Sequence, residues 1–170
     1  MGNRLLVLGV DSGLANTGYG LVRAVNSKFE MVDKGNIQTT AKTPSPERLK
    51  IISGELDSLV EQYQPQALAI EELFFSKNVT SALAVGEARG IAKLVAANNG
   101  IPVFDYKPAE IKMAIVGYGA ATKRQIQEMI KVVLNLDFIP QPDHAADALA
   151  LAICHLRSRK TLELREKHIV

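Results

Sequence analysis

The run Leu5-Leu6-Val7-Leu8-Gly9-Val10 ends directly in Asp11, and no other stretch restricts the possible folds as strongly. It is too apolar for a strand with one wet face, so it reads as a central strand covered on both sides. An ionised carboxylate at the end of such a strand is costly to bury alone. Asp11 therefore has a cationic partner, most simply a metal ion, or sits at the wet rim of the sheet. Gly13 and Gly18 are expected to let the backbone turn and a ligand come close, and Gly18-Tyr19-Gly20-Leu21-Val22 begins a second strand. The plain alternative is an Asp that only caps the turn.

The segments that follow fit an α/β domain. Residues 28–38, KFEMVDKGNIQ, read as a third strand of a meander with Phe29, Met31 and Ile37 as core candidates. Ser45 is expected to cap a helix with Pro46 at its first position and Glu47 favourable against the macrodipole. Leu49, Ile52, Leu56, Leu59 and Val60 keep helical spacing until Pro65. Ala67-Leu68-Ala69-Ile70 is a second short apolar strand, and it too ends in acid, Glu71-Glu72. If the two acid-ended strands are parallel neighbours, Asp11 and Glu71 lie side by side at the carboxyl edge of the sheet, where open α/β sheets bind ligands.

Past that edge come Phe74-Phe75 and a long helix that Gly100 stops. Small residues in its GEARG stretch predict either tight packing on the sheet or contact with a second copy. Residues 101–104 form the fifth strand, giving βββαβαβ and a five-stranded mixed sheet. Further helices run from Pro108 to Val116, after the Thr122–Gln125 capping box, and from about His144 to Arg157. The charged remainder, residues 159–170, is expected to be a flexible tail outside a single domain spanning 1–158.

Composition narrows the function. A chain of 170 residues buries one good core. Its apolar runs fall short of the roughly 20 residues that span a membrane, and its single Cys154 excludes an internal disulfide, which suits the cytoplasm. The net charge of +2 is unevenly spread: residues 1–72 carry 7 basic and 9 acidic side chains, residues 73–170 carry 13 and 9. A polyanion could bind the second half while acids of the first half do chemistry. Residues 106–131 concentrate that excess in Lys107, Lys112, Lys123, Arg124 and Lys131, against Glu110 and Glu128.

Asp11, Glu71, His144 and Asp147 are oxygen and nitrogen ligands from two strand ends and one helix start. His144 and Asp147, three apart, share a face of the first turn. Such a set suits two hard divalent ions acting on a phosphodiester, Mg²⁺ or, with an imidazole present, Mn²⁺. A surface His144 and a helix-capping Asp143 are the bland readings of those two residues. Asp147 resists one, because Ala145, Ala146, Ala148, Leu149 and Ala150 surround it.

The motifs GVDSG with TGYG, AIEELFFSKN, GEARG and DHAADALALAICH occur in that order over about residues 5–158. Together they resemble the RuvC-type Holliday-junction resolvases. The resemblance implies a ribonuclease-H-like fold with helices on both faces of the sheet. It also implies a homodimeric, Mg²⁺-dependent endonuclease that cuts two opposed strands of a four-way DNA junction in recombination and repair, with a branch-migration helicase complex (RuvA/RuvB) as partner. By position it assigns the acidic tetrad to Asp11, Glu71, His144 and Asp147, the junction-stacking aromatic to Phe74, and the DNA-contacting lysines to Lys112 and Lys123. Many members carry Pro where Ser12 stands and Asp where His144 stands; an imidazole there serves as ligand or as general base. Three other functions keep part of the pattern. An actin-like ATPase shares the first hairpin but needs a second domain, a scaffold needs no convergent ligands, and a ribonuclease acting on hybrids needs no dimer.

Overall fold

The computed structural model describes residues 4–73 and 79–167. Its strands are β1 (Leu6–Asp11), β2 (Asn16–Val25), β3 (Lys28–Gln38), β4 (Ala67–Glu71) and β5 (Val103–Tyr106). The helices are α1 (Ser45–Tyr63), α2 (Val79–Asn98), α3 (Pro108–Val116), α4 (Lys123–Val133) and α5 (Asp143–Lys167). The strands form one mixed sheet in the order β3-β2-β1-β4-β5. The β1–β2 and β2–β3 pairs are antiparallel, whereas β1–β4 and β4–β5 are parallel. The acid-ended strands are therefore parallel neighbours, which meets the condition for Asp11 and Glu71 to lie side by side.

Alternation along the strands builds two cores. Leu6, Leu8, Val10, Leu68 and Ile70 pack with α1 and α2. Val7, Val22, Ala67 and Ala69 face α5, with α3 and α4 beside it. The second face is lined with small residues, so α5 lies close. A Cβ on Gly9 would come within 1.9 Å of the Ala148 carbonyl oxygen, and one on Gly18 within 2.0 Å of that of His144. Gly18 was expected to serve the turn. It instead lies within β2, and what requires glycine there is the first turn of α5 pressed against it.

Other local expectations shift by small amounts. Ser45 is the first helical residue rather than the cap, a place taken by Pro44. The Thr122 box forms in full, Thr122 accepting from the Gln125 amide and Gln125 from the Thr122 amide. Helix α5 runs to Lys167, ten residues beyond its expected end, because RKTLELREK contains good helix formers and neither Gly nor Pro. On α2, Ala88 and Ala92 are fully buried, whereas side chains added at Gly86 or Gly90 would meet open space.

His155, far down α5, is buried, with Nδ1 2.7 Å from the Tyr106 hydroxyl. Burial pushes it down to about 4, so it is neutral and ties α5 to β5. Among the described residues no helix is long and apolar enough to cross a membrane.

Candidate active site

Side-chain parity carries both strand-end acids to one face. Asp11 follows Val7 and Gly9 at steps of two, and Glu71 follows Ala67 and Ala69, so both carboxylates point to the α5 side of the sheet. Val10 is in register with Ile70, which makes Asp11 and Glu71 adjacent. Asp11 is also the partner of Gly18 across the β1–β2 ladder. Because α5 begins against Gly18, its first turn brings His144 and Asp147 to these acids.

His144 Nδ1 lies 2.8 Å from Asp11 Oδ2. A carboxylate can only accept, so Nδ1 is the donor in this contact, and the neutral form of the ring keeps its lone pair on Nε2. Asp147 Oδ2 lies 3.3 Å from Lys123 Nζ, which is also 3.1 Å from Asp143 Oδ2. One cleft of about 250 Å³ is lined by Asp11, Glu71, Lys112, Lys123 and Asp147. A second, of about 270 Å³, extends from Asp11 and Glu71 toward Ser81 and Arg89.

The acids strain against one another. Burial, then the charges of Asp11 and Asp147, raise Glu71 above the usual carboxylate range. Burial and Asp11 also raise Asp147, although Lys123 and His144 pull it back. Neutral Ala145, Ala146, Ala148 and Leu149, all fully buried, supply no compensating charge. Among the described residues no three His, Cys, Asp or Glu side chains converge closely enough to enclose an ion; Asp11 and Asp147 are engaged by His144 and Lys123 instead. The donor set nevertheless fits a hard divalent cation, since three carboxylates with incomplete compensation and one imidazole are what such an ion relieves.

Lys112 and Lys123, which the resemblance assigned to DNA contact, both line the cleft. Phe74, the expected stacking residue, lies outside the described residues. Two features escaped the sequence reading. Arg89 of the GEARG motif donates from Nε to the Glu71 carbonyl oxygen at 3.0 Å and pairs with Asp105, bracing the strand end that carries Glu71. Gln127 Nε2 donates to Asp143 Oδ1 at 3.0 Å. The second had a legible signal, since Lys123 and Gln127 on one helix, like Asp143 and Asp147 on another, are four apart.

The solved RuvC of Thermus thermophilus, in complex with a Holliday junction substrate, matches with a TM-score of 0.89 and 32% identity, covering 92% of this chain and 96% of that one. The yeast mitochondrial Holliday junction resolvase Ydc2, 15% identical with a TM-score of 0.69 over 92% of this chain and 80% of its own, shares the fold. The architecture is thus that of the ribonuclease-H-like junction resolvases. Crossover junction endodeoxyribonuclease RuvC of Alkaliphilus metalliredigens is 49% identical over 154 residues, 91% of this chain and 94% of that protein. A family model for the same endodeoxyribonuclease matches residues 7–155, and the chain belongs to the RuvC family of crossover junction endodeoxyribonucleases. It is accordingly a phosphodiester hydrolase acting on DNA.

Proposed function

We propose that Asp11, Glu71, His144 and Asp147 form the centre at which this enzyme cuts four-way junction DNA. The observation that carries the reading is their convergence at the α5-facing edge of the sheet, with His144 held 2.8 Å from Asp11 and the other two acids raised by burial and mutual charge. The reaction is hydrolysis: a water oxygen bonds to phosphorus, the ester oxygen leaves, and the water gives up a proton. Asp11 fixes the ring of His144 with Nε2 as the nitrogen able to take that proton or to ligate an ion. Bound divalent ions, two Mg²⁺ with Mn²⁺ able to substitute, would be held by the four residues and would activate the water and neutralise the leaving oxygen.

Lys112 and Lys123 contact phosphates at the mouth of the cleft, and Phe74, three residues past Glu71, stacks on a base unpaired at the crossover. Two copies of the chain cut the two opposed strands. Helix α2, with Leu83 and Leu94 exposed beside open Gly86 and Gly90, supports the homodimer. A branch-migration helicase complex of the RuvA/RuvB kind would deliver the junction, in the cytoplasm, where the lone buried Cys154 stays reduced.

The test sets a four-way junction beside an RNA–DNA hybrid duplex in one cleavage assay, with the wild type, Asp147→Asn, and chelator. Cleavage of the junction alone is expected, lost with chelator and with Asp147→Asn, while the gel-shift affinity of that variant stays near wild type. Cleavage that survives chelation, or loss of binding with the variant, would overturn the assignment.

A further inference from the structure

Lys123 is shared between two carboxylates with different surroundings. Asp147 lines the cleft with Asp11 and Glu71, whereas Asp143, one turn earlier on α5, is half-exposed and outside that lining. The ammonium is 3.1 Å from the outer acid and 3.3 Å from the inner one. Asp143 is itself held from the other side, by Gln127 Nε2 at 3.0 Å, one turn after Lys123 on α4. The four side chains make a clip in which each helix contributes residues four apart. As a helix-starting acid, Asp143 has an obvious bland role in favouring the macrodipole. The bonds it takes from α4 go beyond that role, because they fix a lysine that would otherwise have a single, catalytically needed partner in Asp147.

We propose that Asp143, set in place by Gln127, is a positioning residue that holds Lys123 at the mouth of the carboxylate cleft, poised for a DNA phosphate and shared with the inner carboxylate rather than paired with it alone. The inference rests on the reading of Asp147 and Lys123 as parts of the cleavage centre. Without the outer acid, Asp147 is the one carboxylate left to Lys123, and the undivided ammonium competes more strongly there with whatever cation that acid must bind.

Asp143→Asn and Gln127→Ala test this, with single-turnover cleavage timed on junction already bound to the protein. Each variant is expected to slow cleavage about two- to fivefold, the range an exposed charge pair supports. Junction affinity should be unchanged or, for Asp143→Asn, tighter, because a negative charge near DNA is removed. Melting temperature should stay close to the wild-type value, since Asp143 is half-exposed and a surface charge pair of this kind adds little to stability. Asp143→Glu should recover part of the rate. Gln127→Ala is the discriminating variant because it alters no charge: a mere surface-charge effect of Asp143 leaves it at the wild-type rate. That result, or slowing that tracks a fall in melting temperature, or unslowed Asp143→Asn, overturns the proposal. A separate arm, Lys123→Gln, isolates the underlying reading. If it cleaves and binds as the wild type does, Lys123 has no place in the centre and the proposal falls with it; if it is slow while Gln127→Ala is not, only the positioning role of Asp143 fails.

Discussion

At the level of single residues, the acids at the sheet edge store repulsion that the rest of the fold must offset. Glu71 and Asp147 are both raised, first by burial and then by charge on their neighbours. A carboxyl group whose folded pKa lies above its unfolded one favours the fold while protonated. Its contribution is fully present below the unfolded value and is lost as pH rises through the folded value. Glu71→Gln cannot ionise and escapes that loss. In chelator at neutral pH the variant should therefore melt above the wild type, by about 2–4 °C for each kcal/mol of repulsion relieved. The gap should close as pH falls toward the ordinary carboxylate range, and Mg²⁺ should raise the wild type more than the variant. Melting curves across pH with and without Mg²⁺ check both points, and a variant less stable than the wild type at neutral pH would show that Glu71 is stabilising.

At the level of elements, the placing of His144 and Asp147 beside Asp11 depends on how closely α5 approaches the sheet. Gly9 and Gly18 leave room for the backbone of α5, and the alanines of the helix keep the separation small. Gly18→Ala puts a methyl group 2.0 Å from the His144 carbonyl oxygen. Neither backbone can yield cheaply, so the start of α5 must move. Overpacking of this kind costs about 1–3 kcal/mol, and a shift of the helix start carries His144 and Asp147 away from Asp11. The expected outcome is a folded protein with a lowered melting temperature and cleavage reduced out of proportion, roughly 100-fold for a displacement near 1 Å. Calorimetry with a junction-cleavage assay tests it; wild-type activity would mean that the close approach does not position the site.

At the level of the whole molecule, charge and topology divide the labour. The acids come mainly from the sheet edge and the lysines from α3 and α4, so the same cleft presents Lys112 and Lys123 opposite Asp11 and Glu71. Neutralising either lysine should weaken junction binding and flatten the dependence of log affinity on log salt by about 0.9 for the lost phosphate contact. Titrations at several salt concentrations measure this directly, and an unchanged slope would return that lysine to the solvated surface.

Much of this is legible in the sequence alone. Uninterrupted apolar runs ending in Asp11 and Glu71 required a covered sheet with acids at its edge, and the spacing of His144 and Asp147 required a shared helix face, because local hydrophobic pattern and helical period depend on neighbours in sequence alone. The Thr122 capping box was readable for the same reason. The role of Gly18 was not, since its need for glycine comes from His144, which is remote in sequence and reaches it only through packing. The bracing of Glu71 by Arg89 and the sharing of Lys123 between Asp143 and Asp147 also needed the tertiary structure, because each joins elements whose relative placement is fixed by the sheet and by burial of two separate cores, not by any local preference.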